Sequence, residues 1–329
     1  MKRSALLVVL AMALSLVSVS AQAAPMVIVG IAYDTGGPGD HSFNDAVAKG
    51  IASAKKSVKV EIVETVTIGT DENRQLRLEY LITRGATYIL AVGSGYAPAV
   101  QRVAAAHPKL QFGIINDSSI GGLNVSSLIF NEKQGGYLAG TLAGLATKTK
   151  KIGLIGSAEQ NKDFEYGYLA GTRATKRDVF VDVQYPKDSL GAAAKLMISK
   201  AVDVIFVTTA GSDTDILTAV ADANKNGLKV SLIGVEPDQY ASLVASAKKF
   251  VLASVVKRVD RTVVEFITHA KLDYPVTDIL DSGKGIYGRR YGVAGGGLEF
   301  SLWTKASQKF QKQLTAASKR IAKNSWYLK

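Results

Sequence analysis

The 329-residue chain contains no cysteine. That excludes disulfides, thiolate metal sites and a lipid-modified cysteine near the N-terminus. Histidine is almost as scarce: His41, His107 and His269 stand far apart, with no H-E-x-x-H or other metal-ligating spacing. The glycine loop from Asp34 to Asp40 is followed by no Walker-type Lys-Ser/Thr and is not G-x-G-x-x-G, and the chain has no G-x-S-x-G elbow. A recognition helix, an RNP-like aromatic motif and a zinc finger are missing too, so nucleic acid is not an expected partner. Several carboxylates exist, but nothing in the sequence pairs them for acid–base work. After the first twenty residues no apolar run is long enough to span a bilayer.

What is present begins with an export signature. Met1-Lys-Arg is a positive n-region, Ala5 to Val19 is apolar, and Ala21-Gln-Ala23 offers small residues for cleavage. A retained membrane anchor is the alternative, but the span is short and the cleavage site good. Residues 1–23 therefore read as a signal peptide and the mature protein as periplasmic and free. About 300 mature residues exceed what one core usually holds, so two domains are expected. Formal charge is +12, falling to +10 once Lys2 and Arg3 leave. The excess is scattered, with a late concentration between Lys305 and Lys329. It could attract an anionic ligand or a membrane surface; solubility is the preferred reading.

The stretch VIVGIAYDTGGPGDHSFN, Val27 to Asn44, organises the rest. Met26 to Ala32 reads as a buried strand, Asp34 to Asp40 as a loop broken by three glycines and a proline, and Phe43 to Lys55 as a helix capped by Ser42 or Asp40. Strands and helices then alternate. Strands are expected at Val58–Val66, Tyr88–Val92, Phe112–Ile115, Ser126–Phe130, Lys151–Ile155, Val179–Tyr185, Val204–Val207, Val230–Val235 and Phe250–Val256. Helices are expected at Asp71–Arg84, Pro98–Ala106, Gln134–Ala146, Asp163–Arg177, Ser189–Lys200, Asp213–Asn226 and Asp260–Ala270. The helix at Gln134 carries small residues (Gly140, Ala143, Gly144) that allow close packing. This rhythm indicates two similar α/β lobes, each a parallel sheet covered on both faces. The glycine-rich Gly283 to Gly297 suits strands or crossing segments, and Ser307 to Lys323 a basic amphipathic surface helix.

In such sheets ligands sit outside the carboxyl ends of the strands. The first lobe places Asp34, Phe43, Asn44, Gly93 to Tyr96 and Asn116 there. The second places Gly156, Ser157, Phe164, Gly211 to Asp215 and Glu236 to Gln239. Two aromatics facing each other across a cleft can hold a planar ring, each contributing about 1 kcal/mol beyond area burial. Carboxylates accept hydroxyl hydrogen bonds well, as vicinal sugar hydroxyls would provide. Spacing alone equally allows an ordinary βα turn with Phe43 in the core, and His41 reads as a solvated loop residue.

The segments DTGGPGDHSFND, FGIINDS, NEKQGGYLAGTLAGLATKTKKIGLIGS, DFEYGYLAG, LIGVEPDQ and ASVVKRVD, in this order between about Val27 and Gly297, resemble the basic membrane protein family. These are solute-binding proteins of ABC importers that include purine-nucleoside receptors. The resemblance implies an α/β type I periplasmic-binding-protein fold: two doubly wound parallel-sheet lobes joined by three crossing segments, with the ligand between them. Lobe 1 would take residues 24–132 and 257–285, lobe 2 residues 133–256 and 286–329. The family's motif positions make Phe43 and Phe164 the stacking rings, with Asp34 and Asn44 lining the first lobe. Asn116 replaces an aspartate expected to read the base edge. Glu236 replaces the aspartate expected to hold ribose hydroxyls. Gly211 begins the loop approaching the sugar, and Lys257 reaches the same cleft. Asparagine at 116 adds a donor and removes a charge; glutamate at 236 lengthens the arm by a methylene. Both leave the choice of purine, and of nucleoside against free base, open.

The expected function is that of a non-enzymatic, monomeric receptor without metal or cofactor. It would bind a purine nucleoside or related purine and deliver it to an ABC permease. Alternatives are a sensory module for the same ligand class and a calcium-dependent nucleoside hydrolase. The hydrolase would need adjacent carboxylates around one cation, and Asp34, Asp40 and Asp45 make an incomplete set.

Overall fold

The computed structural model describes residues 26–40, 42–157, 162–209, 214–235, 243 and 245–323. The first series of elements is β1 (Ile28–Tyr33), α1 (Phe43–Ala54), β2 (Glu61–Val66), α2 (Asp71–Thr83) and β3 (Tyr88–Val92). A 3-10 turn (Ser94–Tyr96) runs into α3 (Ala97–Ala106), then β4 (Gln111–Ile115) and β5 (Val125–Phe130). The second is α4 (Glu132–Ala146), β6 (Lys151–Ile155), α5 (Asp163–Ala174), β7 (Phe180–Gln184), α6 (Leu190–Ser199), β8 (Val204–Val207), α7 (Thr214–Lys225), β9 (Ser231–Val235), α8 (Ala245–Lys248) and β10 (Val251–Lys257). The chain continues through α9 (Val259–Lys271), β11 (Asp278–Asp281), β12 (Ile286–Tyr291), β13 (Leu298–Leu302), α10 (Lys305–Gln308) and α11 (Gln311–Lys323).

The strands form two sheets, ordered β11-β12-β5-β4-β3-β1-β2 and β13-β10-β9-β8-β6-β7. All neighbours are parallel except the β11–β12 and β10–β13 pairs. Parallel strands buried on both faces need continuous apolar runs, and β3, β5 and β8 are buried at every position. Chain direction across each sheet reverses beside its first strand, between β1 and β3 and between β6 and β8. Such a reversal leaves a crevice at the strands' carboxyl ends. With two of these crevices on one chain, the architecture is the α/β type I binding-protein fold.

The chain passes between sheets three times: from β5 into α4, from β10 into α9, and from β12 to β13. The third passage occupies 292–297, six residues later than the boundary expected after residue 285. The difference has a physical cause. β12 lies so close to β5 that a Cβ on Gly288 would stand 2.0 Å from the Ser127 carbonyl oxygen, and Gly288 has φ +142°. Glycine there signals tight strand pairing, and the glycines at 295–297 make the passage. The basic helix expected over Ser307–Lys323 is broken into α10 and α11, with a capping box at Thr304 and Ser307.

The small residues of α4 meet those of α5. A Cβ on Gly140 would lie 2.0 Å from the Tyr168 carbonyl oxygen, and one on Gly171 would lie 2.0 Å from that of Tyr137. The helices are thus in backbone contact, which fixes α5 and the Phe164 on its first turn. One apolar cluster runs through Tyr33, Val47 and Phe130, across α4 at Ala139 and Leu142, to Phe164, Phe206 and Val255. It holds the lobes to the same central helix.

Candidate functional site

The loop after β1 is folded around one amide. Asn44 is 1% exposed; its Oδ1 accepts from the Asp34 backbone N–H at 3.2 Å and its Nδ2 donates to the Asp34 and Thr35 carbonyls at 3.4 and 3.2 Å. Asn44 therefore shapes the loop, with both ends of its amide used within the protein. Asp40 receives the backbone N–H groups of Ser42, Asn44 and Asp45 and so caps α1, answering the choice left between it and Ser42. Asp34 is paired with Arg74, whose Nη2 donates to its Oδ1 at 3.1 Å and whose Nη1 donates to the Gly69 carbonyl at 2.7 Å. Gly93, at φ +95°, leaves the space Asp34 needs: a Cβ there would lie 3.2 Å from Asp34 Oδ2.

Tyr96 is elsewhere. It is fully buried, its hydroxyl donates to the Tyr33 carbonyl at 3.0 Å, and burial pushes its phenol well above the ordinary tyrosine range. The 3-10 turn directs this ring into the core, so it braces β1 and offers no free group to a ligand.

The centre of the site is Lys257, the last residue of β10. Its ammonium donates to Glu132 Oε1 at 2.6 Å and to Asn116 Oδ1 at 3.1 Å. It also stands 5.5 Å from the Phe43 ring centre, 5.6 Å from that of Phe164 and 6.0 Å from that of Phe130. The Lys257 and Glu132 side chains are only 6% and 12% exposed. A buried ammonium requires this much compensation: one carboxylate, one amide oxygen and three negative ring faces. Asn116 reaches it from a left-handed backbone, φ +62°, a conformation asparagine tolerates better than most residues. Phe164 is 4% exposed, with its ring edge-on to Phe206 at 5.5 Å.

The structure thus brings Phe43 and Asn116 from the first lobe, Phe164 from the second, and Lys257 from the second passage to one point. The two distances to the ammonium limit the Phe43 and Phe164 ring centres to about 11 Å apart. A flat heterocycle between two phenyl faces needs about 7 Å. The carboxylates of Asp34 and Asp40 serve a guanidinium and a helix cap, so they are not gathered around a common cation position. Gly211, Glu236, His41 and Asp213 lie outside the described residues. Sequence reasoning missed Glu132, Phe130 and Arg74. A signal for Glu132 existed: a lone acid opening a small-residue helix immediately after a strand buried at every position.

A family model described as ABC transporter substrate-binding protein PnrA-like, the Bmp family, matches residues 27–326. The chain belongs to this family. A CD4+ T-cell-stimulating antigen of Listeria monocytogenes is 31% identical over 269 residues, covering 75% of this chain and 74% of that protein. An ABC transporter nucleoside-binding protein, BmpA, of Lactococcus lactis subsp. cremoris is 30% identical over 259 residues, 73% of this chain and 74% of its own. A crystal structure of an ABC transporter solute-binding protein from Aeropyrum pernix superposes with a TM-score of 0.69 at 21% identity, covering 90% of this chain and 91% of that one. The resemblance drawn from the motifs is therefore correct at the level of family and of fold. Among the described residues no helix is long and apolar enough to cross a membrane.

Proposed function

We propose that this substrate-binding protein takes a purine nucleoside or related purine between its lobes, without transforming it, and delivers it to an ABC permease. In this reading the protein acts as a periplasmic monomer. The observation that carries it is the approach of Phe43 and Phe164, from opposite lobes, to one polar centre. A base between these rings contacts both lobes, and only a ligand that contacts both favours closure over opening. Asn116 then meets the base edge. With its Oδ1 engaged by Lys257, its Nδ2 is the group that faces an acceptor on the base. Gly211 and Glu236 remain the sugar-side residues of this reading, by motif position.

The nucleoside bound by the Lactococcus relative supports the ligand class. The pairing of Asp34 with Arg74 speaks against the hydrolase reading, because a guanidinium occupies the place of a cation. Mass spectrometry of the small molecule that co-purifies with the mature protein, followed by calorimetry with inosine, guanosine, adenosine and the free bases, tests the proposal. A purine heating signal lost in Phe43→Ala supports it. Co-purification of a sugar or an amino acid, with no response to any purine, ends it.

A further inference from the structure

From Phe300 to the last residue the sequence holds seven basic residues and no acidic one. Six of the seven, Lys305, Lys309, Lys312, Lys319, Arg320 and Lys323, lie in the described part, and all six are exposed. On α11 the helical period sorts three of them onto one side. α11 turns Leu314, Ala317 and Ile321 inward. At about 100° per residue, Lys312, Lys319 and Lys323 fall within about 40° of one another on the opposite side of the helix. Among the described residues Lys305, Lys312, Lys319 and Lys323 enter no ion pair. The ammonium of Lys309 rests 4.9 Å from the Phe310 ring centre. A cavity of about 460 Å³ lies between α11, β13 and the third passage, and its one acidic lining residue, Glu299, is already held by Arg258 and Arg261. Lys319 lines this cavity too, but among the described residues it forms no ion pair with Glu299.

We propose that this face of α10 and α11 seats on an anionic phospholipid surface and holds the protein beside the membrane. The composition favours lipid over a protein partner. Protein interfaces are enriched in arginine and aromatics and depleted in lysine. The described cations of this segment are five lysines and one arginine, and α11 carries no aromatic residue. Clusters of four to eight such cations on a helix match the diffuse charge of phosphate headgroups. The proposal does not depend on which ligand the cleft holds. Its role in keeping the protein near a permease does rest on the transport reading.

The test is co-sedimentation of the mature protein with phosphatidylcholine vesicles, with and without phosphatidylglycerol. Binding is expected only with the anionic lipid, and is expected to vanish when salt rises from about 0.05 M to about 0.5 M, as the screening length contracts. Each cation removed is expected to lower partitioning about fivefold. Lys312→Glu/Lys319→Glu/Lys323→Glu should therefore abolish it, while Lys55→Glu/Lys56→Glu/Lys59→Glu, equal in charge on the first lobe, should retain most of it. Urea unfolding of both triple variants against the parent reports an intact fold without any purine response, and separates this result from the fate of the transport reading. Equal losses in the two variants, or equal binding to neutral vesicles, overturn the proposal. So does unchanged vesicle binding by the α11 variant combined with lost transport, which assigns the face to the permease.

Discussion

Replacing Lys257 by methionine isolates the feature that joins the site to the passages between lobes. Lys257 ends the strand before the second passage, and Glu132 opens the helix after the first. Their 2.6 Å contact is shielded from water, with side chains 6% and 12% exposed. Methionine keeps the length of the chain and a favourable sulfur–ring contact, but leaves the Glu132 carboxylate buried without its ammonium. Breaking a buried pair on one side costs about 3 kcal/mol or more. Glu132→Gln alone strands the ammonium and should cost a similar amount, plus about 0.5 kcal/mol for an acid lost from a helix N-terminus. The double variant removes both charges, so its loss should fall about 2 kcal/mol short of the sum. The assay is urea unfolding of all four proteins without ligand, followed by near-UV circular dichroism and fluorescence together. Coincident transitions are required before the energies are compared. Losses that add to within about 0.5 kcal/mol would refute the reasoning, since uncoupled residues behave that way.

Phe43→Ala should weaken purine binding by about 1 kcal/mol or more in calorimetry, with little change in folding, because the ring is only part-buried. Phe164→Ala should lose affinity and also about 3 kcal/mol of stability, since that ring is 4% exposed against Phe206; Phe164→Leu should spare most of the stability but not the stacking, as read by urea unfolding and calorimetry. Gly140→Ala should separate α4 from α5 and lower the thermal midpoint of the whole chain, because the added carbon meets the Tyr168 carbonyl; an unchanged midpoint would show that the helices move apart freely. The Arg289 guanidinium bonded to Asp278 holds that carboxyl below the usual range, so its contribution to the β11–β12 hairpin is complete above about pH 4 and is lost as pH falls through the lowered folded value. Amide exchange in β11 should accelerate below that pH in the parent and show no such step in Asp278→Asn.

The order of elements was legible in the amino acids themselves. Largely apolar runs of four or five residues bounded by glycine, asparagine or aspartate mark β3, β4, β6 and β8 almost to the residue, because a strand buried on both faces favours continuous apolar composition. Gly140 and Gly144 announced a close helix contact through the same local logic. Asn44 was singled out as well, but as a ligand residue; only the fold turned both ends of its amide onto its own loop. The roles of Tyr96 and Arg74 were likewise decided by tertiary structure, since a phenol in a 3-10 turn or a guanidinium in a first helical turn looks the same in sequence whether it faces a cleft or a core. The meeting of Asn116, Glu132 and Lys257 had no local trace, because the three residues come from separate segments. Periodicity reports which face of an element is buried; which neighbours it finds there depends on sheet order and on where the chain passes between lobes.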